Sequence, residues 1–256
     1  MTTTEPKILF IDIETSSQKG YFWGSKWETN IIEIIEDAQI ICFSAKWLGG
    51  QHTTKGLLDY RGYKKGVVDD ENIVTDIHDL LDEADIVVTQ NGISFDNKVI
   101  NARFIKHGLP PPSPYKMIDT KVEAKRYLRL PSYSLDDMCK YFGIGKKMAH
   151  EGFELWKDCI AGSKTAWANM KKYNAKDVQL TETLYKKLRP FMKTHPNFSV
   201  YSDKNNCPKC GSSNVHARGY TANSSTMFQR AQCNACGGWF RFGKAMMKIK
   251  NTRTNI

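Results

Sequence analysis

The run Ile8-Leu9-Phe10-Ile11-Asp12-Ile13-Glu14 constrains this chain more than any other stretch. Four apolar residues in succession describe a buried strand, and on a strand residues two apart share a face. Asp12 and Glu14 therefore lie side by side on one face, with Ile11 and Ile13 on the other. Two adjacent acids inside a core repel each other and lose their hydration. A hard divalent cation such as Mg²⁺ removes that cost, because it prefers carboxylate oxygens. The alternative is a strand end whose acids simply face water, and the presence or absence of further ligands decides between the two.

With 256 residues, 41% of them hydrophobic, the chain can hold one large domain and a small module. Its net charge of +10 suits a polyanionic partner. That charge is concentrated: residues 201–256 carry nine Lys/Arg against one acid, Asp203, whereas residues 1–200 carry 28 basic and 26 acidic residues. Cys42, Cys139 and Cys159 sit mostly among apolar neighbours and read as reduced core residues. The first residues lack the basic and apolar regions of a secretory signal, and no apolar run reaches the length of a membrane span. The expectation is a cytoplasmic or otherwise intracellular protein with no membrane partner, where paired Cys-x-x-Cys points to metal before disulfide.

Along the chain, Gln39 to Trp47 and Thr53 to Leu58 read as strands around a Gly49-Gly50 turn. Tyr21 to Glu36 reads as a loop with room for a short helix. Ile73, Ile77, Leu80 and Leu81 give Glu71–Glu83 a helical spacing. Ala84–Thr89 is a buried strand, and a helix follows from about Ile93. Tyr115 to Ile118 is a further strand, succeeded by a helix to about Leu130. Ser134 and Asp137 resemble a capping box, closed by Gly143, and Lys164–Leu188 is a helix ending just before Pro190. Strands first and then strands alternating with helices predict an α/β chain, a mixed sheet with helices on its faces.

Two more acids fall at telling places. Asn91-Gly92 turns the chain sharply at the end of strand Ala84–Thr89, where ligand sites of α/β sheets lie, and Asp96 falls in the first turn of the helix that follows. An ordinary first-turn acid facing the helix dipole is the competing reading. Tyr173 and Asp177, four apart, share a helix face with Leu180 and Leu184. A surface pair of Asp177 with Lys176 or Lys172 is the alternative there.

Taken in order, Asp12-x-Glu14, Asn91-x-x-x-Phe95-Asp96 and Tyr173-x-x-x-Asp177 resemble the three exonuclease motifs of the DnaQ-like 3′–5′ exonucleases. The subclass is the one with four acids and a tyrosine (DEDDy), as in the proofreading domains of family B DNA polymerases. The resemblance covers roughly residues 7–190, and Ile118-Asp119-Thr120 and Tyr133 to Ile144 fit it more weakly. The sister subclass has a histidine five residues before the last acid, where this chain has Lys172.

The resemblance implies a ribonuclease H-like mixed sheet flanked by helices. It implies two Mg²⁺ or Mn²⁺ ions held by Asp12, Glu14, Asp96 and Asp177, with Tyr173 orienting the attacking water. It implies Thr15, Asn91 and Phe95 as contacts to the terminal nucleotide, although Phe95 reads equally well as core. Nucleoside 5′-monophosphates would be released, from DNA in preference to RNA, and a polymerase or other replication protein is a partner it allows. The same chemistry on RNA, and a non-catalytic nucleic-acid-binding platform, remain open.

Cys207-Pro-Lys-Cys210-Gly and Cys233-Asn-Ala-Cys236-Gly are two knuckles that suit one closed, structural Zn²⁺ site. They resemble a zinc ribbon. The expected organisation is an exonuclease domain over residues 1–195, a linker over 196–206, a zinc ribbon over 207–245 and a basic tail over 246–256. Arg218, Arg230, Arg241 and Lys244 are interleaved with aromatic residues, a composition suited to single strands. Trp239 and Phe240 are the residues expected to form the ribbon's small core. A protein partner for the ribbon is the alternative use.

Overall fold

A computed structural model describes residues 5–24, 30–201 and 206–248. Trp27, Asp203, Lys250, part of the linker over 196–206 and most of the tail over 246–256 lie outside the described residues. In chain order the elements are β1 (Ile8–Thr15), β2 (Lys19–Phe22), β3 (Ile31–Glu36), β4 (Ile40–Trp47), β5 (His52–Gly56), α1 (Glu71–Glu83), β6 (Ile86–Thr89), α2 (Asp96–Lys106) and β7 (Lys116–Asp119). Then come α3 (Thr120–Tyr127), α4 (Leu135–Tyr141), α5 (Phe153–Ile160), α6 (Lys164–Leu188), β8 (Val215–Ala222), β9 (Thr226–Cys233) and β10 (Trp239–Lys248). They form two compact units, one of Lys7–Lys125 with Arg129–Leu184, the other containing Arg126–Leu128 and the chain from Tyr185 on.

The first unit is built on a five-stranded sheet in the order β5-β4-β1-β6-β7. β1 is its central strand, antiparallel to β4 and parallel to β6, so it must be covered on both faces. Leu9, Ile11 and Ile13 join a core with Ile73, Val74, Ile77 and Leu81 of α1 and Trp167, Met170 and Tyr173 of α6. The opposite row along β1 begins with buried Ile8 and Phe10 and turns acidic at Asp12 and Glu14. This is the mixed sheet flanked by helices that the sequence pattern predicts. Cys42, Cys139 and Cys159 are buried free thiols, as expected.

The structure corrects the sequence reading in several places. In place of a loop, the described residues on either side of 25–29 form β2 and β3, which pair into a separate two-stranded antiparallel ribbon with every strand residue exposed. Its Ile-Ile-Glu-Ile-Ile-Glu order matches neither a core strand nor a helix face, so periodicity gave no signal. Helix α5 was not anticipated, although Leu155 and Cys159, four apart, are its buried pair. The third strand ends at Gly56, and α3 ends at Tyr127. Ser134 does cap α4, its hydroxyl accepting from the Asp137 N–H at 3.1 Å.

The second unit contains a three-stranded antiparallel sheet in the order β10-β9-β8. Its buried residues include Cys207, Ala231 and Cys233. Trp239, expected in this core, is instead 44% exposed, because the register pairs it with Gln232, on the face opposite buried Ala231.

Candidate active site

β1 delivers Asp12 and Glu14 where its pairing changes. It pairs with β6 only across Ile8–Phe10, so its edge is free beyond that point. The register with β4 shifts between Glu14 and Thr15, a bulge of the kind that re-aims side chains beside active sites. The freed N–H of Ile13 donates to Asp96 Oδ1 at 3.1 Å. The first turn of α2 is thereby fastened between the two β1 acids.

The turn that brings Asp96 there is tightly specified. Asn91 holds a left-handed φ of 67°, a conformation Asn tolerates better than most residues. A Cβ added to Gly92 would collide with the Thr89 side chain. Asp119, at the end of β7, accepts from the N–H groups of Asn91 at 2.9 Å and Ile93 at 3.1 Å. The Asn91 side-chain oxygen accepts from Lys121 Nζ at 3.0 Å. Phe95 is 42% exposed, which removes the core reading for it. Thr15 is half-buried at the bulge.

Helix α6 supplies the third side. Carboxylate oxygens of Asp12, Glu14 and Asp177 lie within 4.8 Å of one another. Asp177 pairs with Lys147 Nζ at 2.6 Å, rather than with Lys176 or Lys172. Lys147 also donates to the Tyr173 hydroxyl at 2.8 Å. The Tyr173 ring packs against His150, centroids 4.8 Å apart, and against Trp156. Buried Asn174 donates through Nδ2 to Asp12 Oδ2 at 2.6 Å.

Lys147, His150, Trp156 and Asn174 were missed by sequence reasoning. Asn174 is one residue from Tyr173 and on the same buried stripe as Asp177, a signal that was present but silent about its partner. Lys147 sits in a stretch between helices that has no periodicity to read.

The site is electrostatically strained as it stands. Burial, followed by repulsion from Asp96, Glu14 and Asp177, pushes the Asp12 carboxyl well above the ordinary range. Burial and the Asp177 charge raise Glu14 to about 8. Burial raises Asp96 to about 6, against the pull of its backbone hydrogen bonds. Asp177 is also raised by burial, with Lys147 opposing. Burial works against a charged Lys147, but the Asp177 carboxylate outweighs it and holds the ammonium above its usual range. Asp177 Oδ1 is buried with no hydrogen-bond partner. Converging carboxylates that resist ionisation, with one orphaned oxygen, fit a hard divalent cation.

The four cysteines converge separately. Sulfur–sulfur distances are 3.7 Å for Cys207–Cys236 and 3.6 Å for Cys210–Cys233, and all four ligand atoms lie within 4.8 Å of one another. Four sulfurs about 2.3 Å from a tetrahedral Zn²⁺ stand about 3.8 Å apart, so the cluster fits that ion. Arg218, Arg230, Arg241 and Lys244 are all exposed in the second unit.

A family model described as the RNase_H superfamily matches residues 32–189, more than half of the chain. Its range begins after β1, so Asp12 and Glu14 are joined to it by the fold alone. No curated protein matches the sequence. Among solved structures, the family B DNA polymerase of the hyperthermophilic archaeon Pyrobaculum calidifontis is similar, with a TM-score of 0.53 and 19% identity over 73% of this chain. The match takes in 25% of that polymerase, so this chain corresponds to about a quarter of its length. At this identity the likeness concerns the fold. Among the described residues, no helix is long and apolar enough to cross a membrane.

Proposed function

The chain belongs to the RNase_H superfamily, and on that premise we propose that it is a metal-dependent 3′–5′ exonuclease of the DnaQ-like, DEDDy type. Its substrate would be DNA with single-stranded or frayed 3′ ends, in replication, repair or proofreading, and its product nucleoside 5′-monophosphates. The fold and the family support a nuclease-like function. The observation that carries the finer reading is the convergence of Asp12, Glu14 and Asp177 within 4.8 Å, beside Tyr173 and with Asp96 bonded to the same strand. Residues 1–195 would hold this chemistry, with a zinc ribbon over 207–245 following the linker.

Asp12, Glu14, Asp96 and Asp177 would hold two Mg²⁺ or Mn²⁺ ions, which supply charge stabilisation of the scissile phosphate and an activated water. The protein's own groups do the rest. The Tyr173 hydroxyl, raised to about 12 by burial and by Asp177, keeps its proton at neutral pH. It can therefore orient a water by hydrogen bonding without becoming an anion that repels phosphate. Asn174 fixes which oxygen of Asp12 faces the site. Lys147 balances the Asp177 charge and offers a cation beside an incoming phosphodiester. Exposed Phe95 offers a ring for the terminal base to stack on, and Asn91 and Thr15 border the same strand ends.

The test supplies 5′-labelled single-stranded DNA, duplex DNA and RNA with Mg²⁺ or Mn²⁺. Products shortening from the 3′ end, abolished by Asp12→Ala and by Asp177→Ala, are expected. Absence of degradation of every substrate would overturn the proposal, and faster loss of RNA than DNA would move it to an exoribonuclease.

A further inference from the structure

The three-stranded sheet of the second unit has two unlike faces. Across β9 and β10 the register pairs Trp239 with Gln232 and Arg241 with Arg230, and across β8 it pairs His216 with Gln232. Cross-strand partners share a face, as do residues two apart, so Phe228, Arg230, Gln232, Trp239 and Arg241 lie together. Arg218 joins them: its guanidinium donates to Gln232 Oε1 at 2.8 Å, and its carbonyl accepts from Arg230 Nε at 2.7 Å. The opposite face carries Ala231 and Phe240, with the ring of Phe242 6.3 Å from that of Phe240.

On the first face the cations are laid over the rings. The guanidinium carbons of Arg218 and Arg230 stand 5.5 and 5.2 Å from the Trp239 ring centre, and that of Arg241 stands 4.4 Å from the Phe228 ring. Such packing orders long side chains in advance. Among the described residues no carboxylate pairs with any of the three arginines, and the sequence from 201 to 256 contains a single acid, Asp203. A ring 44% exposed on a module this small is surface that folding did not use. Ordered guanidiniums with unspent N–H donors call for an anion, and an indole still partly exposed beside them calls for a flat partner. A single strand of nucleic acid provides both at every nucleotide. A regular duplex keeps its bases stacked inside and gives the indole nothing to meet.

We propose that this face, Trp239 with Arg218, Arg230 and Arg241, is a binding platform for single-stranded nucleic acid, the indole stacking on a base and the guanidiniums taking phosphates. The choice of polymer rests on the exonuclease reading, and the experiment separates the two. The full-length, zinc-loaded chain carrying Asp12→Ala is titrated with a fluorescent oligothymidylate and with a duplex of equal length, without added Mg²⁺ and over a range of salt. Zinc content is measured for every variant.

Tighter binding of the single strand, with quenching of tryptophan emission, is expected. Trp239→Ala should weaken it about tenfold or more, with partial recovery in Trp239→Phe. Arg218→Ala with Arg230→Ala should lower the slope of log affinity against log salt by about 1.4, at roughly 0.7 per phosphate of a single strand. The platform is overturned if zinc-replete Trp239→Ala binds within twofold of its parent. It is likewise overturned if the duplex binds as tightly as the single strand, or if an acidic peptide competes while these variants leave oligonucleotide affinity unchanged. Should Trp239→Ala lose its zinc, unchanged affinity in Trp239→Phe and an unchanged slope in the arginine variant overturn it equally. Loss of oligonucleotide hydrolysis by the unsubstituted chain, with platform binding intact, would sink only the exonuclease reading.

Discussion

Asn174→Ala removes the short hydrogen bond to Asp12 Oδ2, with longer contacts to the Asp12 carbonyl at 3.4 Å and from the Cys42 thiol at 3.9 Å, which makes it a sharp probe of the acidic site. Asn174 is fully buried on α6, and alanine is the best helix former, so the helix itself is not weakened. The Cys42 thiol lies 3.9 Å from Asn174 Oδ1, which orients the amide so that Nδ2 meets Asp12 Oδ2 at 2.6 Å. A hydrogen bond to a charged group contributes about 1.5–3 kcal/mol. In the metal-free chain that loss is capped, because Asp12 already resists ionisation and can take up a proton instead. With metal bound the carboxylate must be charged and aimed, so the effect falls on the metal. Losing a partner that orients a ligand costs about 10–100-fold in metal affinity, or roughly 1.4–2.7 kcal/mol at about 1.36 kcal/mol per decade. The half-saturating Mg²⁺ for hydrolysis of a 5′-labelled single strand should therefore rise about 10–100-fold, with the rate largely recovered at saturating Mg²⁺. A midpoint within twofold of the unsubstituted chain would refute the assignment of Asn174 as the residue that positions Asp12.

Metal and pH should be linked. Glu14 and Asp96 have folded-state pKa values of about 8 and about 6, above the unfolded carboxylate range of about 4. Groups raised in this way favour the folded chain below pH 4, and that contribution is lost as pH rises through 6 and 8. Bound Mg²⁺ needs the ionised carboxylates, so the rise in melting temperature on adding Mg²⁺ should widen from pH 5 to pH 8.5; a pH-independent rise would contradict the buried-acid site. Tyr173→Phe keeps the ring that packs on His150 and loses only the hydroxyl. It should lower kcat by roughly 10–100-fold, in line with one lost hydrogen bond of about 1.5–3 kcal/mol, while the Mg²⁺ midpoint stays put; a shifted midpoint with normal kcat would count against a water-orienting role. Gly92→Ala drives a methyl into Thr89 and should destabilise by about 1–3 kcal/mol and reduce activity, since the same turn delivers Asp96; an unchanged melting temperature would show the turn to be slack. The purified chain should hold one Zn²⁺, and its removal should unfold β8 to β10 reversibly, as followed by circular dichroism; a metal-free preparation with that sheet intact would dismiss the ribbon.

The amino-acid order by itself determined the sheet's main strands, the long helices and the identity of the acids. Those features rest on local rules: alternation along β1, three- and four-residue spacing in α1 and α6, and a Gly-bearing turn after β6. It also paired the cysteines into two knuckles, because ligand spacing is local. Only the tertiary structure decided what lies between such signals. Asp96 stands 84 positions from Asp12 and Asp177 a further 81 on, and their convergence depends on how β1, β6, α2 and α6 pack. Lys147 and Asn174 carry no motif, and their roles come from partners 30 and 162 positions away. The β2–β3 ribbon escaped notice because it buries nothing, so no hydrophobic pattern announces it. Trp239 is expected with Phe240 in the ribbon's small core, yet the strand register leaves it outside among arginines. Residue type states what a side chain would prefer; pairing and packing between distant segments settle whether that preference is met.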